Sequence, residues 1–115
     1  VQYARAAANL GAAYGELGDH LRQRRLLEGA YKVMEEHYGP QHIDVARAAV
    51  MLSAAYTKRE ELENAIGMLD KAVETMQAWY SSGTHVDIGR VYVAQAEVHG
   101  RLGDNSRKQQ ALTLA

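Results

Sequence analysis

A chain of 115 residues that repeats itself at a spacing of 42 to 43 positions has few folds open to it. Displaced by 42, Leu10 falls on Leu52, Ala13 on Ala55, Tyr14 on Tyr56, Leu27 on Leu69 and Ala30 on Ala72, and Tyr3-Ala4-Arg5 falls on Val45-Ala46-Arg47. A further displacement of 43 carries His42-Ile43-Asp44-Val45-Ala46-Arg47 onto His85-Val86-Asp87-Ile88-Gly89-Arg90. The same step carries Glu60-Glu61 onto Gly103-Asp104, which restores the Gly18-Asp19 pair of the first copy. Several residue types recur in phase together, whereas unrelated amphipathic helices would agree only in hydrophobicity. Periods of this length with helical spacing predict a stacked helix-hairpin solenoid, in which each unit buries its neighbour's face.

Composition agrees. The chain is rich in Ala, Leu, Glu, Arg and Tyr, with one Pro and no Phe, which favours helix over sheet, and at 47% apolar it can fill a core. A net charge of −1 argues against a polycationic nucleic-acid or membrane-surface binder. The absence of cysteine removes disulfide and thiolate chemistry and fits a reducing, intracellular compartment, cytoplasmic or organellar. No apolar run approaches the length of a bilayer span.

In order, a first helix is predicted from about Gln2 to Leu17, ended by Gly18 in a left-handed conformation. Asp19 is placed to cap a second helix, about His20 to Tyr38, and Gly39-Pro40 breaks the chain. The second hairpin runs from about His42 to Lys58 and from Glu61 to Tyr80, around a turn that contains no glycine. Ser81 to Thr84 is a linker, and a third hairpin begins near His85 and turns at Gly103-Asp104. The chain is thus one array, with repeats at about 1–41, 42–84 and 85–115 and the last one truncated. Its apolar final stretch, Ala111 to Ala115, and its start inside a repeat lead to the expectation that it is part of a longer array.

At these residues the chain resembles a tetratricopeptide repeat array. That family's pattern is Leu-Gly-x-x-Tyr in the first helix, Gly-Asp or Gly-Asn at the turn, and spaced Ala, Tyr and Ala in the second. Leu10, Gly11, Tyr14, Gly18, Asp19 and Ala30 match in repeat one, and Leu52, Tyr56, Ala65, Leu69 and Ala72 in repeat two. In repeat three Gln95 and His99 stand where Leu and Tyr are usual, while Ala96, Gly103, Asp104, Leu112 and Ala115 keep the frame. Gln23 replaces a small residue of the second helix, which implies looser or shifted packing there. The 42-residue spacing and the His37-Tyr38-Gly39-Pro40 linker running on to Ala46 are similar to the kinesin-light-chain-like and nephrocystin-3-like branch. Its helices are longer than those of the 34-residue form. The resemblance implies an all-α, right-handed superhelical solenoid of antiparallel helix hairpins.

Few residues suggest chemistry. His37 and His42 flank the Gly-Pro turn with Asp44 beyond, but the recurrence of His-x-Asp at His85 and Asp87 points to helix capping by Asp and linker packing by His. A metal site would need three or four converging ligands with outer support. No nucleophile with a base and no phosphate loop is recognisable, so no catalytic residue, no metal and no cofactor is expected. Arg22, Arg24 and Arg25, and the run Glu60-Glu61-x-Glu63, read as solvated helix faces. Trp79 and Tyr80 read as cover for the seam between repeats.

In the family that the chain resembles, the first helices line a concave groove. Arg5, Arg47 and Arg90 share one repeat position, so stacking sets them in a ladder there. Asn9 and Met51 lie one turn on, and Lys58 and Arg101 further along, which completes the candidate set for partner binding. Two readings of the ladder stand open: contacts to a partner, or pairing with Asp44 and Asp87 to hold the linkers. Some members clamp a peptide carboxylate with basic residues and Asn on successive first helices; Arg5 and Asn9 match that pair, but Met51 and Ala94 interrupt it. The resemblance implies a non-catalytic scaffold that binds a protein or peptide segment, not nucleic acid and not the membrane interior. The alternative is a structural subunit packed by its convex face or its ends into a larger complex.

Overall fold

A computed structural model describes residues 2–80 and 86–103. These form five helices: α1 (Gln2–Glu16), α2 (His20–Tyr38), α3 (Ile43–Lys58), α4 (Leu62–Trp79) and α5 (Val86–Arg101). No strand occurs among the described residues. The linker Ser81 to Thr84, His85, and the part of the third hairpin from Asp104 onward lie outside them. The boundaries fall within one residue of those read from the sequence, because turn chemistry marks them.

The turn after each first helix carries a left-handed residue at the same repeat position. Gly18 adopts φ +83° and Gly103 φ +79°, and Glu60, in the same repeat position, adopts φ +60°. At Gly18, the N–H of Asp19 donates to the Tyr14 carbonyl (2.9 Å) and that of Gly18 to the Gly15 carbonyl (3.1 Å). At Glu60, the N–H of Glu61 donates to the Tyr56 carbonyl (2.9 Å) and that of Glu60 to the Thr57 carbonyl (3.1 Å). This pair of bonds satisfies the last carbonyls of the helix and requires a left-handed residue, which costs a non-glycine side chain about 1 kcal/mol. Repeat two bears that strain, and Arg101 at the end of α5 donates to the Glu60 carboxylate at 3.1 Å.

Helix starts differ from expectation in one respect. Asp19 caps α2 as predicted, accepting from the Arg22 N–H at 3.2 Å. At α3 the cap is His42, whose Nδ1 accepts from the Asp44 N–H at 3.0 Å. The extended backbone of His42 (φ −87°, ψ 145°) puts its ring over the open amides, whereas Asp44 already lies within the first turn. The carboxylate of Asp44 is therefore left to favour the helix N-terminus and to take a cation. The ring of His42 also stacks on Tyr38, centroids 4.4 Å apart, and lies 4.9 Å from that of Trp79. Trp79 covers the seam only in part, being half exposed.

Each helix packs on the next, α1 on α2, α2 on α3, α3 on α4 and α4 on α5. Leu27 of α2, Leu52 and Ala55 of α3, Leu69 and Met76 of α4 and Ile88 and Val91 of α5 join in one buried cluster that runs across the hairpins. Burying a Leu or Ile side chain contributes about 1.5–3 kcal/mol, so the seams between hairpins supply a substantial part of the core's stabilisation. Within hairpin one, a Cβ on Gly11 would come within 3.4 Å of the Gln23 carbonyl oxygen, so the two backbones meet there. The departure at Gln23 is accommodated by exchange: its side chain fills the space over Gly15, where a Cβ would lie 2.4 Å from Gln23 Nε2.

Two polar ties cross the seam between hairpins one and two. Tyr56 donates to Glu28 at 2.9 Å, and Arg24 Nη1 donates to Glu61 at 2.6 Å. Arg24 and Glu61, read from the sequence as solvated, are thus half-buried partners. On α2, Tyr31 likewise donates to Glu35 at 3.1 Å. Burial, and after it the neighbouring carboxylate, pushes the phenols of Tyr31 and Tyr56 up to about 12.

Two predictions follow from these contacts. Unfolded tyrosine titrates at about 10, so the contribution of both phenols is intact below that pH and is lost as pH rises through about 12. Urea midpoints should stay level from about pH 8 to 9.5 and then fall, and Tyr56→Phe should remove part of that fall; a level profile to about pH 11 contradicts the assignment. Glu60→Gly should stabilise the chain by about 0.5–1 kcal/mol, since the relieved backbone outweighs an exposed ion pair. A loss of stability in urea unfolding would show that the Arg101–Glu60 contact dominates.

Candidate functional site: the face of the first helices

Small side chains on α1, α3 and α5 leave three depressions along one face. The first, of about 170 Å³, lies between α1 and α3 over α2; Ala8, Ala30, Ala48 and Met51 line it, with Arg5, Arg47 and Asp44. The second, of about 230 Å³, lies between α3 and α5 and is lined by Arg47, Val50, Met76, Asp87, Arg90 and Val91. The third, of about 180 Å³, continues past Val50 to Ala54, Thr57, Lys58 and Ala94. Arg47 is a wall common to the first two. The structure therefore brings Arg5, Arg47, Met51, Arg90 and Lys58 to the rims of adjoining depressions, whereas Asn9 and Arg101 line none of these three.

The arginine ladder divides. Arg47 is engaged on both sides, at 3.5 Å from Asp44 and 3.5 Å from Asp87, and Nη2 also donates to the Tyr80 hydroxyl at 3.4 Å. Tyr80 in turn donates to Asp87 at 2.9 Å, so an arginine of repeat two is tied to the first turn of repeat three. Desolvation alone would lower the pKa of Arg47; the hydrogen bond from it to Tyr80 and the charge of Asp87 outweigh that and raise it. Arg5 is the counterpart one repeat earlier, and Tyr38 and Asp44 beside it are the counterparts of Tyr80 and Asp87. That set does not close: Asp44 is taken by Arg47, and Tyr38 stacks on His42. Among the described residues Arg5, Arg90 and Lys58 are exposed and make no ion pair.

Arg101 is occupied elsewhere. It donates to Glu60 and, at 3.4 Å, to the Thr57 carbonyl, and pairs with Glu97 at 3.4 Å, tying the end of α5 to the turn of hairpin two. Sequence reasoning missed the part played by Tyr80, although the 42-residue displacement of Tyr38 onto Tyr80 was there to be read. It also missed Arg24, whose partner lies 37 positions away and leaves no local signal. Among the described residues no three His, Cys, Asp or Glu side chains gather as a metal-ligand set, and no helix is long and apolar enough to cross a membrane.

The tetratricopeptide repeat family model matches residues 2–78, more than half of the chain. The chain belongs to the tetratricopeptide repeat family. Among solved structures, it is similar to the crystal structure of BtubC (BKLC) from P. vanneervenii, with a TM-score of 0.88 at 18% sequence identity. That likeness covers 96% of this chain and 44% of the other, so the chain spans less than half the length of this neighbour. The neighbour is a kinesin-light-chain-like tetratricopeptide protein, and the shared fold is the superhelical solenoid of helix hairpins. A search of the curated proteins returns no match. Tetratricopeptide repeats are generally protein-interaction modules.

Because Arg47 joins two repeats and Arg90 joins none among the described residues, reversal of the two charges should differ. Arg47→Glu should cost about 1 kcal/mol in urea unfolding, and Arg90→Glu should stay within about 0.5 kcal/mol of the parent. Equal effects of the two would mean that the Arg47–Tyr80–Asp87 tie carries no stability.

Proposed function

We propose that this chain is a non-catalytic binding module whose first-helix face takes an extended or helical segment of a partner protein. One observation carries the reading: small apolar depressions between successive first helices are rimmed by Arg5, Arg90 and Lys58, cations with no carboxylate partner among the described residues. Apolar side chains of a peptide fit the depressions, and its acidic groups would find charges that are already exposed. Met51 and Asn9 complete the contact surface, while Arg47 and Arg101 act mainly as supports, since their donors are already directed at Asp87 and Glu60. The all-helical repeat family is typically non-catalytic, which agrees with this reading.

A second reading, a structural subunit packed by its ends into a larger assembly, is favoured by a different observation. Tyr3 and Leu10 on the outer side of α1 are 65% and 50% exposed. The two readings use different surfaces, so one experiment separates them. A panel of fluorescein-labelled peptides combining aliphatic and acidic residues is titrated onto the chain and onto the Arg5→Glu/Arg90→Glu variant. Kd should rise at least about tenfold, equivalent to about 1.4 kcal/mol, with an unchanged circular dichroism spectrum, and binding to the parent should weaken with salt. Peptides that bind both forms equally would remove the groove reading.

A further inference from the structure

Three serine or threonine side chains are buried among the described residues, Ser53, Thr57 and Thr75. Two of them close onto their own helix: Ser53 Oγ donates to the Val50 carbonyl at 2.6 Å, and Thr57 Oγ1 to the Ser53 carbonyl at 2.8 Å. Thr75, 7% exposed, makes no such bond among the described residues. Its oxygen is not sealed off either, since the one sealed side-chain atom without a hydrogen-bond partner there is Arg24 Nε. Stacking does not call for this hydroxyl. A displacement of 42 sets Thr75 on Val33, an aliphatic residue packed against Ala4, Ala7 and Ala30. A hydroxyl that forgoes the carbonyls of its own helix and stays open is placed to bond a group from outside the chain.

Thr75 lines a depression of about 160 Å³ that is bounded by α2, the linker after Gly39 and α4, and that no first helix reaches. Tyr31 and Glu35 of α2, Gln41 of the linker, and Lys71 and Glu74 of α4 line it with Thr75. The Tyr31 hydroxyl donates to Glu35 at 3.1 Å, and burial pushes its pKa up to about 12, so it keeps that proton at neutral pH and its oxygen is left to accept. Glu74 and Lys71 are exposed and make no ion pair among the described residues. Carboxylates and hydroxyl oxygens therefore outnumber the ammonium, and the acceptors come from two helices. A planar guanidinium, with five N–H donors spread around its edge, matches such a set better than the compact ammonium of lysine.

We propose that this depression between the second helices binds an arginine side chain of a partner protein, with Glu35, Glu74 and Thr75 Oγ1 accepting from its guanidinium. Lys71 donates to a carbonyl or carboxylate beside that arginine, so a guanidinium carried on a peptide is favoured over a free cation. The site does not rest on the first-helix face: it uses other helices and selects the opposite charge. It also has no counterpart between α2 and the helix before it in the repeat pattern, because Gly29 and Lys32 stand at the positions of Lys71 and Glu74.

The test titrates the blocked peptide acetyl-Gly-Arg-Gly-amide onto the ¹⁵N-labelled chain and follows amide shifts by nuclear magnetic resonance. Signals of Tyr31, Lys71 and Thr75 should move saturably, with Kd on the order of 1 mM for a single side chain. The lysine peptide and guanidinium chloride should each bind at least about fivefold more weakly. Glu74→Gln, a change at an exposed position, should raise Kd at least about fivefold. Thr75→Val, for which Val33 is the precedent, should raise it at least about threefold, and Thr75→Ser should keep the parent value. Arg5→Glu/Arg90→Glu should leave it unchanged, which separates this site from the groove. The proposal is overturned if arginine and lysine peptides bind alike, or if Thr75→Val and Glu74→Gln keep the parent Kd. Shifts that scatter over other carboxylates without saturating also overturn it.

Discussion

Each second helix among the described residues, α2 and α4, has two apolar sides to bury, one against the first helix of its own hairpin and one against the first helix of the next. α2 lies between α1 and α3, and α4 between α3 and α5. No hairpin satisfies that requirement alone, so the hairpins stack, and the stack sets the position of every other group. Alanines at Ala30, Ala55, Ala65 and Ala72 permit close approach, and Leu27, Leu52 and Leu69 fill the remaining space. The same rule explains why Leu10, identical to Leu52 in type and register, is exposed.

The polar contacts serve this stacking more than they serve any one helix. Arg24 reaches Glu61, Arg47 reaches Asp87, and Arg101 reaches Glu60, each from one hairpin to another. Taken singly, the exposed pairs among them contribute about 0–1 kcal/mol. They do join successive hairpins, and Arg47 is itself a wall of two of the depressions that lie between α1, α3 and α5. In the proposed binding role the spacing of those helices matters, because a groove made of small residues has shape only while its walls are held apart.

How much of this was legible in the sequence depends on whether a contact repeats. Gly18 and Gly103 marked two turns directly, and the register aligned Glu60 with them, although a turn without glycine gave no sign of the left-handed backbone that Glu60 adopts. The buried positions of α3 and α4 followed from the same displacement. Contacts made once were not legible: Arg24 with Glu61 is an accident of two adjacent hairpins, with Ile66 at the position of Arg24 in the next repeat. The linker packing of His42 was legible, but the cap of α3 was assigned to Asp44 instead of His42, because pattern alone does not show which residue keeps an extended backbone. Of the candidate contacts, the shared position of Arg5, Arg47 and Arg90 was plain, but which of them already had partners depended on Tyr80, Asp44 and Asp87 in three dimensions.

If stacking between hairpins is what holds the fold, protection of the backbone should follow the number of covered sides. The direct measurement is amide hydrogen exchange, resolved by helix, on the chain under native conditions. The account predicts the slowest exchange in α2, α3 and α4, each covered on both sides, and markedly faster exchange in α1, which has a single packed neighbour among the described residues. Equal protection of α1, α2, α3 and α4 would contradict it, since each hairpin would then be stable by itself and the stack would be incidental.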